Sequence, residues 1–184
     1  MMRIGITGVP GTGKTTIARL VSEKYGLELV DLNKIVQEKK LWTVIDPVDN
    51  AKIANLIALA RVLQTLPENC VVEGHLLCEI RIPLERIIVL RAPLRVLEER
   101  LSRRGYSDEK VRANLYSEML DYCTERSLRR YKGTQTLVHE VLASQPPENV
   151  LADIGKILED KDGLLFRAPW IDIAQADSGP TPKL

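Results

Sequence analysis

The sequence lacks the features of a nucleic-acid-binding or membrane protein. Its 26 Lys and Arg residues nearly balance 25 acidic ones, so a net charge of +1 supplies no overall field that attracts nucleic acid or lipid. Aromatic residues make up only 4% of the chain, with a single Phe. The longest apolar helix candidate, over 53–66, carries Asn55, Arg61 and Gln64, which excludes a membrane span. We therefore expect no membrane contact and no direct DNA binding.

Cysteine is also scarce. Cys70, Cys78 and Cys123 are odd in number and form no C-x-x-C pair, which argues against a disulfide framework or a zinc ribbon. The apolar stretch at the N-terminus is too short for a signal peptide, because Gly5 interrupts it. This usage fits a reducing compartment, so we predict a cytoplasmic protein.

Apolar runs alternate with helical patterns along the chain. Five runs have the length and composition of buried strands: 3–7, 27–32, 70–73, 86–90 and 136–141. Helical spacing separates them, beginning with 15–25 and a short helix through Lys40 that Asn33 could cap. This order predicts an α/β fold, a five-stranded parallel sheet covered by helices on both faces.

Two longer helices are predicted from apolar spacing alone. Asn50 should open a helix that presents one apolar face and ends before Pro67; its apolar positions are Ile53, Leu56, Ile57, Ala60 and Leu63. Ser107 should cap a single helix that runs to about Tyr131. Its buried face should contain Val111, Leu115, Met119 and Tyr122.

The character of the chain changes near residue 160. We predict one domain over 1–159 and a C-terminal extension over 160–184, which ends in a disordered tail from Ser178. The segment 163–174 holds Phe166 and Trp170, and we expect this apolar cluster to fold back onto the domain.

A Walker A pattern, GVPGTGKT, occupies residues 8–15 between a predicted strand and a predicted helix. Its glycines allow backbone N–H groups to surround phosphates, and the helix dipole adds positive potential. We expect ATP to be bound by Gly11, Thr12, Gly13, Lys14, Thr15 and Thr16. Lys14 would reach the terminal phosphates, and the Thr15 hydroxyl would bind Mg²⁺. The guanine-reading N-K-x-D motif is absent after Asn33, so a GTPase is excluded.

Several motifs together resemble one family over about residues 3–158. They are the loop 8–16, Val72–Leu76 with Glu73 and His75, the pair Leu90 and Arg91, the stretch Arg100–Tyr106, and Asn114 with Glu118. In this order they resemble the adenylate kinase isoenzyme 6 family, also known as the coilin-interacting nuclear ATPases. The acidic position before the family histidine is Glu73, as it is in archaeal members, rather than Asp, and the segment after Glu159 matches nothing in the family.

The resemblance implies a P-loop nucleotide kinase fold with a region that binds nucleoside monophosphate at about 31–50 and a short lid at about 103–113. It implies adenylate kinase and ATPase activity with ATP, AMP and Mg²⁺. It also implies a role in small ribosomal subunit maturation through a ribosomal protein of the platform.

The candidate catalytic residues are Lys14, Glu73, His75 and Arg104. Converging cations suit phosphoryl transfer, because the transferred group spreads negative charge over its oxygens. Arg104 resembles the ATP-contacting lid arginine of the family, whereas Arg103 fits a solvated helix face. Glu73 would hold Mg²⁺ through water, or else cap the next turn. His75 would position water for hydrolysis, or else be structural.

The candidate acceptor-binding residues are Asp31, Asn33, Asp46 and Arg91. The first three are equally consistent with helix caps and turns. Three functions stay open: an AMP kinase, an ATP-switched ribosome assembly factor whose kinase activity is incidental, and a kinase for another small acceptor.

Overall fold

The computed structural model describes residues 1–45 and 52–159, without the side chains of Val44 and Ile45. Its strands are β1 Met2–Thr7, β2 Glu28–Asp31, β3 Trp42–Ile45, β4 Lys52–Ala54, β5 Asn69–Glu73, β6 Arg86–Arg91 and β7 Leu137–Leu142. Its helices are α1 Lys14–Tyr25, α2 Leu32–Glu38, α3 Leu56–Val62, α4 Leu94–Arg103, α5 Asp108–Met119, α6 Tyr122–Tyr131 and α7 Pro147–Glu159. A 3₁₀ helix spans His75–Glu79.

Five strands form one parallel sheet in the order β2-β5-β1-β6-β7, which confirms the predicted α/β architecture. The central strand β1 pairs with β5, so that Ile6 lies opposite Glu73. Because parallel strands end at the same edge, the loop after β1 and the carboxylate at the end of β5 lie side by side.

Each face of the sheet buries its own apolar cluster, because successive strand residues point to opposite faces. On one face, Val71 and Ile88 pack with Ile17 of α1 and Ile154 of α7. The other face holds a second cluster, which includes Val72, Ile87, Val36, Leu59, Leu97 and Tyr131. The continuous apolar runs of β5 and β6 therefore arise from burial on both sides.

The helix predicted to start at Asn50 is wrong in its first part. Residues 52–54 form β4, which pairs with β3 in an antiparallel hairpin, and Asn55 caps α3 by accepting from the Ala58 N–H at 3.0 Å. Ile53 and Ile57 are 49% and 70% exposed, so their helical spacing did not mark a buried face. Asp46 lies in the segment 46–51, outside the described residues.

The single helix predicted over 107–131 is two helices. Ser107 caps α5 as expected, with the Lys110 N–H 3.3 Å from its hydroxyl. Asp121 then adopts a left-handed conformation, φ 51° and ψ 30°, and α6 begins. Met119 and Tyr122 were expected inside but are 49% and 43% exposed, because the break turns them outward.

Among residues 1–45 and 52–159, no helix has the length and apolarity needed to cross a bilayer. The predicted extension over 160–184, with Phe166 and Trp170, lies outside the described residues.

Candidate active site

The phosphate loop connects β1 to α1 in a conformation that needs glycine. Gly8 has φ +142°, and a Cβ there would collide with the carbonyl oxygen of Leu90. Gly13 has φ 93° and forms the N-cap of α1, which receives no hydrogen bond from a capping side chain. The first N–H groups of α1 are therefore open to an anion such as a phosphate.

Two side chains brace this loop from within. The Thr12 hydroxyl is 1% exposed and donates to the Val9 carbonyl at 3.0 Å. Lys14 Nζ donates to the same carbonyl at 2.9 Å. The Thr12 N–H also donates to the Val9 carbonyl, at 3.4 Å, whereas Thr16 is exposed beside Thr15 at the start of α1.

Glu73 meets the first turn of α1. The Thr15 hydroxyl donates to Glu73 Oε1 at 3.0 Å, and Glu73 is 2% exposed. Burial raises the pKa of Glu73, and the negative charge of Asp31 raises it further, while the Thr15 hydrogen bond and Lys14 oppose the rise. The register of β5 against β1 and β2 produces this grouping.

These residues fit Mg²⁺, since a hydroxyl and a carboxylate are the oxygen donors that a hard cation prefers. The described residues contain no cluster of three or more His, Cys, Asp and Glu side chains that could hold a metal by themselves. Mg²⁺ typically binds one or two protein oxygens together with substrate phosphates and water, and Thr15 with Glu73 matches that pattern.

Two arginines, Arg100 in α4 and Arg104 at its C-cap, act on the loop and its lysine. Arg100 Nη1 donates to the Gly11 carbonyl at 3.1 Å. Burial lowers the pKa of Lys14, and the positive charge of exposed Arg104 lowers it further, although Cys123 and Glu73 oppose this. Arg104 therefore lies within electrostatic reach of Lys14. Sequence reasoning did not assign Arg100 a role, although its position one turn before Arg104 was a usable signal.

His75 follows the carboxylate by two residues and begins the 3₁₀ helix. Its carbonyl accepts from the Thr7 hydroxyl at 3.5 Å, which ties it to the end of β1. His75 is exposed, yet desolvation by the surrounding protein and the charge of Lys14 lower the pKa of its imidazole to about 4. Its imidazole is therefore neutral at physiological pH.

Asp31 and Asn33 lie at the start of α2. Asp31 caps this helix, since its Oδ1 accepts from the N–H groups of Asn33 at 2.8 Å and Lys34 at 3.1 Å. Asp31, rather than the expected Asn33, is thus the cap. Asp31 also lies beside Glu73 across the sheet, and Asn33 is exposed.

Arg91 is not placed as a substrate ligand. It is 2% exposed at the end of β6, and its guanidinium donates to carboxylates of Glu118, Asp121 and Glu140. All three guanidinium nitrogens bond to protein oxygens and the side chain is buried, so Arg91 is not exposed to an acceptor. Arg91 joins β6 to β7 and to the α5–α6 junction instead.

Cys78 and Cys123 lie beneath the site. The Cys78 thiol donates to the His75 carbonyl at 3.2 Å, and its interaction with Cys123 lowers the pKa of Cys78 and raises that of Cys123 well above its ordinary value. The charges of Lys14 and Glu118 both act on Cys123, so the first turn of α6 lies near the phosphate loop as well as the Arg91 cluster.

Comparison with known proteins places this site in context. A family model described as "AAA domain" matches residues 4–121. The chain is 32% identical over 183 residues to "Putative adenylate kinase" of Pyrococcus abyssi, covering 100% of this chain and 97% of that protein. A protein of the same description from Methanothermobacter thermautotrophicus is 39% identical over 153 residues, 82% of this chain and 85% of that one.

Solved structures share the fold at low identity. Shikimate kinase from Aquifex aeolicus has a TM-score of 0.54 at 20% identity, covering 86% of this chain and 96% of that one. Deoxyadenosine kinase from M. mycoides with bound dATP has a TM-score of 0.52 at 19% identity, covering 86% and 100%. The chain therefore has the fold of the P-loop kinases.

Proposed function

The chain belongs to the family defined by this AAA domain model and these archaeal relatives, and from that premise we propose that it is an adenylate kinase. It would transfer the γ-phosphoryl group of ATP to AMP. The observation that carries the proposal is the Thr15–Glu73 hydrogen bond beside a phosphate loop with an uncapped helix N-terminus. These are the parts that phosphoryl transfer requires of a protein.

In the proposed reaction, a phosphate oxygen of AMP attacks the γ-phosphorus of ATP, and the bond to the β–γ bridging oxygen breaks to give two ADP. The attacking phosphate is already anionic, so no general base is needed. Lys14 and Arg104 would stabilise the charge on the transferred group, and the loop N–H groups would orient the phosphates. Mg²⁺, held by Thr15 and through water by Glu73, would neutralise charge on the β- and γ-phosphates.

Asp31 and Asn33 are proposed to bind the acceptor, since Asp31 stands beside Glu73 at the same edge of the sheet. Asp46 is proposed with them. The regions at 31–50 and 103–113 would enclose the two nucleotides. We place the protein in the isoenzyme 6 branch on the strength of the Glu73–His75 and Arg104–Tyr106 motifs, and in the cytoplasm because its three cysteines are free.

A second function, ATP-switched assembly of the small ribosomal subunit, is favoured by one observation. Tyr116, Met119 and Leu120 near the α5–α6 junction are 53%, 49% and 73% exposed. Clustered exposed apolar side chains are typical of protein interaction sites. This activity would use ATP hydrolysis, for which Glu73 and His75 are the nearby polar groups.

The test is an acceptor panel with purified protein, ATP and Mg²⁺. The acceptors are AMP, dAMP, CMP, shikimate and deoxyadenosine, and both ADP and phosphorylated acceptor are measured. We expect fast AMP-dependent ADP formation. Transfer only to a hydroxyl acceptor would overturn the adenylate kinase proposal. Negligible transfer, with hydrolysis stimulated by a platform ribosomal protein, would favour the assembly function.

A further inference from the structure

A buried cation fixes the point where α5 passes into α6. Arg91 Nε lies 2.8 Å from Glu118 Oε1, and Arg91 Nη2 lies 2.5 Å from Asp121 Oδ1. Glu118 Oε1 also accepts from the Ala92 N–H at 3.1 Å. Glu140 of β7 is the third acidic partner. The end of β6 is therefore tied to the last turn of α5 and to the second residue after that helix.

Asp121 differs from the described N-cap residues whose side chains cap their helices. Asp31, Asn55 and Ser107 each accept a hydrogen bond from a backbone N–H of the helix they begin. Asp121 accepts none, and its carboxylate binds Arg91 instead. Its left-handed backbone, with φ 51°, is uncommon for a residue other than glycine and needs support from its surroundings.

The α5–α6 junction is connected to two parts of the site, the phosphate loop and the turn that carries Arg104. Cys123, two residues after Asp121, lies within electrostatic reach of Lys14. At its other end, α5 begins just after the turn at 104–107, which carries Arg104. The carbonyl of Leu90, next to Arg91, packs against Gly8 of the phosphate loop.

We propose that the Arg91–Asp121 ion pair is a positioning device for phosphoryl transfer. It fixes α5 against the strand beside the phosphate loop, and through α5 it sets where Arg104 stands relative to Lys14. Asp121 is then a positioning residue that acts through Arg104. This inference rests on the proposed function, since it requires a phosphoryl-transfer step to be positioned.

The test compares Asp121→Gly with Asp121→Asn. Glycine adopts the left-handed conformation freely but removes the carboxylate, so we expect a melting temperature within a few degrees of the parent. Asparagine tolerates the same conformation and removes only the charge. Both variants should lower kcat about tenfold or more with little change in KM for ATP, because misplaced catalytic groups lose rate. Lys40→Gly, at the second non-glycine residue with φ 51° among residues 1–45 and 52–159, calibrates the effect of glycine on melting.

The decisive step is to repeat Asp121→Gly in an Arg104→Ala background. If Asp121 acts through Arg104, the second substitution should cost less than about twofold, since the effects of coupled residues do not add. An equal loss of kcat in both backgrounds, or an unchanged kcat for both Asp121 variants, would overturn the proposal. If the panel identifies another acceptor, the adenylate kinase proposal fails, and that acceptor serves for this test.

Discussion

The Thr15 hydroxyl donates to Glu73 Oε1 at 3.0 Å and joins the first turn of α1 to the end of β5. The two residues are 58 positions apart and meet because β5 pairs with β1 in parallel. Glu73 is almost fully buried, and its raised pKa shows that its charge is held at a cost in folding free energy. A carboxylate kept under such conditions is typical of a functional site.

Glu73→Gln should lower kcat by about tenfold to a hundredfold and weaken Mg²⁺ dependence, because the amide cannot hold the metal's water ligands as the carboxylate does. Thr15→Ser keeps the hydroxyl and is the matched control, with activity near the parent. The measurement is ADP formation across a Mg²⁺ titration. A Glu73→Gln enzyme with parental kcat and Mg²⁺ dependence would contradict the assignment.

The Glu73 carboxylate supports catalysis, but it should lower the free energy of unfolding at neutral pH. Its folded-state pKa is raised above the ordinary 4.5, so it subtracts stability at neutral pH. That loss is recovered as the pH falls from the raised pKa towards 4.5, where the folded state takes up a proton first. Glu73→Gln should therefore melt at or above the parent temperature at pH 7 and lose this part of the pH dependence. A clear fall in melting temperature at pH 7 would argue that the ionised group is stabilising.

Lys14→Ala should abolish ATP turnover and leave the fold intact, because the hydrogen bond from Lys14 Nζ to the Val9 carbonyl contributes little to the stability of the domain. Lys156→Ala, an exposed lysine paired with Asp153 on α7, is the control for removing a positive charge. Turnover and thermal melting are measured for both. Retained turnover in Lys14→Ala would contradict the phosphate site.

Arg104→Ala should lower kcat about a hundredfold, since removal of a preorganised charge partner typically costs about 3 kcal/mol. Arg103→Ala is the matched neighbour: its exposed ion pair with Glu99 is worth little, so its rate should stay near the parent. Equal losses from the two substitutions would show that the loop faces a different side of α4.

The sheet and the phosphate loop could be predicted because local signals were sufficient. The glycine pattern at 8–15 predicts a phosphate-binding loop directly, and the apolar runs of β5 and β6 require burial on both faces. The pairing of β5 with β1 then brings Glu73 to Thr15.

The predictions that were wrong share one physical cause: the structure at those positions depends on contacts between residues that are far apart in the sequence. The sequence near Asp121 predicts a continuous helix, but the buried Arg91, thirty residues away, binds the Asp121 carboxylate at the break. The role of Arg91 itself depends on three acids from α5, β7 and their connections, which no local pattern announces. Residues 52–54 have apolar spacing that predicts a helix, but pairing with β3 makes them a strand.

Hydrolysis and transfer to AMP should separate at His75. Water must be oriented and relieved of a proton, whereas AMP brings an anionic nucleophile. His75→Ala should therefore cut ATP hydrolysis by about a hundredfold, and it should leave transfer to AMP within about tenfold of the parent.

The pH dependence of hydrolysis gives a second check on His75. Because the pKa of His75 is lowered to about 4, the ring stays neutral above that pH, so the rate of hydrolysis by the parent should not change near pH 6.5 through this residue. The rates of each enzyme with and without AMP at saturating ATP, measured from pH 5 to pH 9, decide the matter. Equal slowing of both reactions would mean that His75 supports the nucleotide or the end of β1, to which its carbonyl is bonded, rather than the attacking water.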